Sequence, residues 1–276
     1  MPRLVHANLG DCHDCNIEFT AAFDVNQTKV GRELPEAIFV EVSAKGFQVD
    51  RGMVVATGGE AVTHRHPLGG WMPPERHGMA FTMTTFYIIR HATNDLVGKV
   101  ITGRRPGIGL NPEGRRQAEQ LAKRLAREPI QIVYSSPRER AVETAVPLAK
   151  RLNLDIQISE AFDEIDFGDW TGLTFEQLAP LPKWQRWNSF RGVTRIPGGE
   201  MMCEVQTRMV MAIQGLHAEY PEQTIAVFSH GDPIRATLAY YLGVPLDLLQ
   251  RIRVDPASVS IITLNEEGPE VLGMNG

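Results

Sequence analysis

Three short apolar runs in this chain each end in residues suited to holding an anion. The first ends Ile89-Arg90-His91-Ala92-Thr93-Asn94, and the second Tyr134-Ser135-Ser136-Pro137-Arg138-Glu139-Arg140. The third ends Phe228-Ser229-His230-Gly231-Asp232. Each run is followed by a turn or a helix start, where free backbone N–H groups favour negative charge. Taken alone, an Arg-His pair after a strand reads as a structural pair. Three basic clusters on one edge read as a pocket, because gathered positive groups repel each other and an anionic ligand relieves that cost. The chemistry this suggests is chemistry on a phosphate.

The elements that must bring these clusters together are legible from residue 83 onward. Phe86 to Ile89 is a buried strand. Asn111-Pro112-Glu113 starts a helix, with Asn as the cap and Pro at the first position. Ala118, Leu121, Ala122 and Leu125 share its inner face, and Pro129 ends it near Glu128. Strands follow at 130–134, 156–158, 224–228 and 259–264, and helices at 137–152, 200–219 and 233–242. Strands alternating with helices of this length predict an α/β three-layer sandwich, a mostly parallel sheet covered on both faces. In such sheets ligands bind beyond the carboxyl ends of the strands, where all three clusters lie.

The chain changes character near Met83. Residues 1–82 lack helical periodicity, and 37–42 and 52–56 read as short strands. We expect a β-rich extension there, in part disordered, with a misplaced start codon as the alternative, since Met83 is a natural beginning. The domain proper then spans 83–276. Of 276 residues, 43% are hydrophobic and the net charge is −5, which allows a sizeable core and points to neither nucleic acid nor an anionic membrane. Neither a signal peptide nor an apolar run long enough for a membrane helix is visible. Three cysteines are too few for a disulfide framework and fit a reducing cytoplasm.

With these boxes in view, the sequence over about 84–265 closely resembles the histidine phosphatase superfamily, also called phosphoglycerate-mutase-like. Its motifs appear here in order as Arg90-His91-Ala92, Ser135-Ser136-Pro137-Arg138-Glu139-Arg140-Ala141, Phe162-Asp163-Glu164-Ile165-Asp166-Phe167-Gly168 and Ser229-His230-Gly231. The resemblance implies that His91 is a nucleophile that becomes transiently phosphorylated, as a neutral imidazole can at pH 7. It implies that Arg90 and Arg140 grip the phosphoryl oxygens through charge-assisted forks, and that His230 donates to the same group. Glu164 matches the general acid, selected among Glu160, Asp163, Asp166 and Asp169 by the apolar residue two before it and the Gly four after. The other carboxylates are expected to be mostly solvated. No metal and no cofactor enter this scheme.

Some positions depart from the pattern. Ala92 replaces a family Gly, tolerable unless φ must be positive there. Arg138 competes with Arg140 for the phosphate, and positions two apart on a helix point apart, so Arg140 is preferred. Val97 stands where many members have Asn, and Asn94 is the stand-in for phosphate binding. The compact stretch between Gly168 and His230 favours a phosphatase acting on a small phosphorylated metabolite. A phosphoglycerate-type mutase with the same pocket is the alternative, and a non-catalytic phosphate-binding domain the rival from another class. Arg104, Arg105, Arg186, Arg191 and Arg195 either bind an acidic substrate or are surface arginines. Trp184, Trp187 and Phe190 either line a pocket or lid or anchor their segment. Cys12-His13-Asp14-Cys15, with His64, His66 and His77, invites a zinc reading, but one Cys-x-x-Cys pair lacks a second. Cys203 reads as a small packed residue.

Overall fold

The structure is a computed structural model that describes residues 83–276 and, ahead of them, the backbone of five strands. The chain divides into two compact units, Met1–Gly78 and Met79–Gly276. In the first, β1 (Val5–Asn8), β2 (Glu18–Phe23) and β3 (Ile38–Ser43) form an antiparallel sheet in that order, and β4 (Phe47–Asp50) pairs with β5 (Met53–Ala56). The strands read at 37–42 and 52–56 correspond to β3 and β5. Cys12, His13, Asp14, Cys15, His64, His66 and His77 lie outside the described residues.

The second unit is a six-stranded sheet built from β6 (Thr84–Arg90), β7 (Ile132–Ser135), β8 (Ile156–Ile158), β9 (Thr224–Ser229), β10 (Val259–Asn265) and β11 (Gly268–Gly273). Its order is β11-β10-β6-β9-β7-β8. The four strands β6, β9, β7 and β8 are parallel, and β10 pairs antiparallel with both β6 and β11. Period-2 alternation divides the core between two faces. Phe86, Ile88, Ile225 and Val227 face one side; Tyr87, Ile89, Ala226 and Phe228 face the other. The second face is covered by α1 (Pro112–Leu125) and α2 (Glu139–Leu152), through Leu121, Leu125, Ala145 and Leu148. After two short helices, α3 (Phe175–Leu178) and α4 (Pro182–Ser189), the first face is covered by α5 (Met202–Glu219) and α6 (Gly231–Tyr241), through Met209, Ile213, Ile234 and Leu238. The expected three-layer sandwich is what forms.

Helix starts differ from the sequence reading for local reasons. The side chain of Asn111 accepts from Gly114 N at 2.8 Å, so α1 begins where its cap predicts. By contrast α2 starts at Glu139, because Arg138 is extended and its N–H is spent on Ser136 Oγ. Glu200 is held outside α5 by its backbone bond to Asp166 O, so that helix starts at Met202. Sequence periodicity missed α3, α4 and β11; the first two are one and two turns long, too short to show a repeat.

Candidate active site

Strand order decides where the site lies. Because β9 is inserted between β6 and β7, their carboxyl ends are neighbours, and each carries one of the three clusters. His91 N donates to Ser229 O and Ser136 N donates to Phe228 O, both at 2.9 Å, so the ladder continues into the loops. The rings of His91 and His230 are thereby held with centroids 5.2 Å apart, and both side chains are buried.

The loop after His91 is tied down on two sides. Ala92 N donates to Thr144 Oγ1 of α2, and Thr93 N to Gln117 Oε1 of α1. Helix α1 approaches so closely that a Cβ at Gly114 would stand 2.0 Å from Thr93 O. Ala92 has negative φ, so its methyl group costs nothing in backbone strain. Its carbonyl accepts from His91 Nδ1 at 2.8 Å. That bond fixes the tautomer: with the proton on Nδ1, the Nε2 lone pair is the free one. Burial, with Arg140 and Arg90 beside it, holds this imidazole well below its usual range, so it stays neutral at pH 7.

Two guanidinium groups flank it. Arg140 is fully buried; its Nη2 donates to Gly103 O at 2.8 Å, while Nε and Nη1 have no partner. Arg90 Nη1 donates to Val254 O at 2.7 Å, and its Nε is likewise unpartnered. Buried N–H groups without acceptors are costly, and an oxyanion is the ligand that satisfies them. Arg138 faces elsewhere: its Nη1 donates to Arg104 O, and its Nε lies 3.1 Å from Asp163 Oδ1. The two guanidinium groups point apart, one carried by the extended residue ahead of α2 and the other by its first turn.

Glu164 comes from the segment between two 3-10 turns, Glu160–Phe162 and Gly168–Trp170. Ser229 Oγ donates to Phe162 O at 2.8 Å, which straps the segment to β9. The Glu164 carbonyl accepts from Arg104 Nε at 2.9 Å and Arg208 Nη2 at 3.1 Å. Glu200 binds Arg104, Arg208 and the Asp166 N–H, closing a clamp around it. The Glu164 side chain is 13% exposed, with Oε2 4.0 Å from Arg140 Nη2 and 3.7 Å from His230 Nδ1. Burial pushes its carboxyl up to about 7 against the pull of Arg140, and Asp232 adds to the rise. A carboxylic acid that titrates at neutral pH beside a neutral imidazole can give and take a proton there.

A sequence model of the histidine phosphatase superfamily (branch 1) matches residues 86–276. Phosphoserine phosphatase 1 of Hydrogenobacter thermophilus is 31% identical over 198 residues, which is 70% of this chain and 92% of that protein. The chain belongs to the histidine phosphatase superfamily. A bifunctional protein of Mycobacterium tuberculosis is 34% identical over 194 residues, 69% of this chain and 53% of that longer relative. Among superfamily members of known structure, mycobacterial glucosyl-3-phosphoglycerate phosphatase superposes with a TM-score of 0.63 at 25% identity, over 70% of this chain and 99% of its own.

Within this histidine phosphatase, then, His91, His230, Arg90, Arg140 and Glu164 converge on one crevice. Asn94 does not present its carbonyl oxygen there: Oδ1 accepts from Leu96 N and Val97 N, closing the turn after the loop. Two expectations about neighbouring residues need correcting. Asp163 is not a solvated carboxylate but a buried one, 3% exposed, accepting from Glu164 N and Ser136 Oγ. Arg191 is not a surface arginine: it is buried, pairs with Asp232 at 3.0 Å and lies 3.8 Å over the Trp187 ring. Arg195 pairs with Glu204, and Arg105 is exposed. Trp187 is buried against Phe167 and Trp170, so the aromatic segment is anchored in the core, with only Phe190 open to solvent. Sequence reading missed Arg208 and Glu200. The signal for Arg208 was its position three residues after the core residue Val205, on the inward face of α5.

Among the described residues no helix is long and apolar enough to cross a membrane, and no group of three or more His, Cys, Asp or Glu is arranged to hold a metal ion.

Proposed function

We propose that this enzyme hydrolyses small phosphomonoesters in two steps through a phosphohistidine on His91. In the first, His91 Nε2 attacks phosphorus, the ester P–O bond breaks, and Glu164 gives its proton to the departing alkoxide. In the second, water attacks phosphorus, the P–N bond breaks, and the Glu164 carboxylate takes the proton that water releases. Arg90 and Arg140 hold the non-bridging oxygens throughout and spread their charge. The observation that carries this reading is the bond from His91 Nδ1 to Ala92 O, which leaves Nε2 as the lone pair beside two unsatisfied guanidinium groups.

Two arginines supply the positive charge that a metal ion supplies in other phosphatases, so the mechanism is metal-independent and chelation leaves activity intact. The catalytic unit in this reading is residues 83–276, with 1–82 as an extension of it, in a cytoplasmic protein. The relatives act on phosphoserine and glucosyl-3-phosphoglycerate, both phosphoryl esters of small carboxylic acids, and that class heads the substrates to test.

The test is rapid acid-free quenching with a phosphate-labelled aryl ester. The expected result is a protein-bound phosphate, stable in base and labile in acid, absent from His91→Ala, whose turnover falls at least about 100-fold. Turnover unaffected by His91→Ala would sink the assignment. A parallel assay with phosphoglycerate separates hydrolysis from isomerisation.

A further inference from the structure

Against His230 Nε2 lies a buried chain of polar groups that the two-step scheme does not use. His230 Nε2 is 2.8 Å from Ser136 Oγ, and Ser136 Oγ donates to Asp163 Oδ1 at 3.1 Å. His230 and Ser136 are fully buried, and Asp163 is 3% exposed. Asp163 is an acceptor: it also takes Glu164 N at 2.7 Å and lies beside the guanidinium groups of Arg138 and Arg104.

The hydrogen-bond capacity of one hydroxyl decides the direction of this chain. A serine hydroxyl has one proton to give and two lone pairs to receive with. Here the proton goes to the carboxylate. One lone pair takes Arg138 N at 3.2 Å, and the other must take the proton of His230 Nε2. So Nε2 is the protonated nitrogen, and Nδ1 is the one left without a partner, 3.7 Å from Glu164 Oε2.

We propose that Ser136 and Asp163 are positioning residues of His230, fixing its proton on Nε2 so that Nδ1 faces the phosphoryl group and can become a donor to it. The inference rests on the phosphatase reading above and extends it. With its proton on Nε2, the free ring can only accept at Nδ1, whereas a phosphoryl oxygen needs a donor there. A phosphomonoester monoanion resolves this by passing its proton to Nδ1 as it binds. The products are the ester dianion and an imidazolium that donates from Nδ1 to the phosphoryl group and from Nε2 to Ser136. Asp163 Oδ1, 3.8 Å from Nε2, offsets the new positive charge. The relay therefore supports the charged ring only while the dianion is present, and burial beside Arg140 keeps it neutral otherwise.

Long-range nitrogen–proton spectra of the histidine rings test this directly, with the His230 signals assigned by their absence from His230→Gln. In the 276-residue chain the expected pattern is a protonated Nε2 and a bare Nδ1, with Nδ1 becoming protonated on addition of orthovanadate. Ser136→Ala is expected to lose the single tautomer and about 10- to 100-fold in kcat, the worth of one hydrogen bond to a charged group, with KM changed less than about threefold. Ser136→Thr, which keeps the hydroxyl, is expected to retain both. Asp163→Asn repeats the test without touching the hydroxyl and is expected to behave like Ser136→Ala. If Ser136 only holds the turn before α2 through Arg138 N, Ser136→Ala lowers the melting temperature and leaves tautomer and kcat as they were; that outcome overturns the proposal. So does a loss carried by KM alone. The tautomer measurement is independent of turnover, so an inactive wild-type protein would end the phosphatase reading and still leave the relay decided.

Discussion

Glu164 Oε2 and His230 Nδ1 face each other at 3.7 Å without a hydrogen bond between them. In water a glutamate loses its proton well before an imidazolium does. Here the order is reversed. Burial pushes the carboxyl up to about 7 and draws the imidazole down, each toward its neutral form. An ion pair between the two would tie up the proton that a leaving group needs. Burial of both groups prevents it.

The first prediction concerns pH and activity. Glu164 donates only when protonated, so kcat/KM falls as pH rises through about 7. His91, held low, remains a free base across this range and sets only a limb on the acid side. Glu164→Gln removes the share of the upper limb that Glu164 sets and leaves the limb at the ester's own second ionisation, which the proton transfer to His230 requires. It also costs alkyl phosphates far more than aryl phosphates, whose phenolate leaves without help; a pH–rate profile on both ester types checks this. An equal loss for both ester types would remove Glu164 from the acid role.

The second concerns stability. The folded-state value for Glu164 lies above its ordinary value of 4.5, so its contribution is fully present below about 4.5 and lost as pH rises through about 7. Glu164→Gln keeps the shape without the charge. Relative to wild type, the variant should gain up to about 3 kcal/mol between pH 4.5 and 8. Urea unfolding of both proteins at several pH values measures the difference. The lowered values of His91 and His230 act with opposite sign, their stability being lost as pH falls below 6.5, and the comparison with the variant separates the two effects.

Arg140 supports a third. Its unpartnered Nε and Nη1 make it the group with most to gain from an oxyanion. Orthovanadate should raise the wild-type melting temperature by the equivalent of about 2.7 kcal/mol at a hundredfold excess over Kd. In Arg140→Met the shift should vanish along with activity, while Arg138→Met, whose guanidinium faces Asp163, should keep most of the shift. Calorimetry with and without the anion reads both.

A fourth concerns the turn behind the acid. Gly168 has φ of +45°, and an added Cβ would stand 2.2 Å from Pro197 O and 2.4 Å from Gly198 C. No side chain fits between two backbones at that distance. Gly168→Ala should cost about 3 kcal/mol or more and, by displacing the segment that carries Glu164, lower kcat in whatever fraction folds. Thermal melts alongside turnover check the pairing of the two losses.

Much of the site was written into the chain because strand ends carry it. Arg90-His91, Ser135-Ser136 and Ser229-His230 each close an apolar run, and a parallel sheet brings such ends together whatever the loops do. Arg140 and Arg138 point apart because Arg138 is the extended residue ahead of α2, a local break that a helical reading of 137–152 does not contain. What could not be read was depth. Asp163 and Glu164 are adjacent carboxylates, and only packing tells that Asp163 ends on a buried serine while Glu164 faces the second histidine. Arg191 looked like any loop arginine until Asp232, distant in sequence, arrived beside it. The carbonyl oxygen of Asn94 serves the nearer backbone N–H groups, a local bond that short polar side chains form readily and that leaves its amide N–H groups as the donors for an anion.

Three of the four tryptophans in the chain, Trp170, Trp184 and Trp187, sit with ring centroids 5.2 to 5.7 Å apart. Trp184 and Trp187 are nearly stacked, at 28°, and the Arg191 guanidinium covers the latter. Rings this close share their electronic transitions, so the cluster gives the protein a built-in optical gauge. Since Arg191 reaches from this cluster to Asp232, two residues after His230, ultraviolet dichroism and intrinsic emission can follow events at the crevice without any label attached.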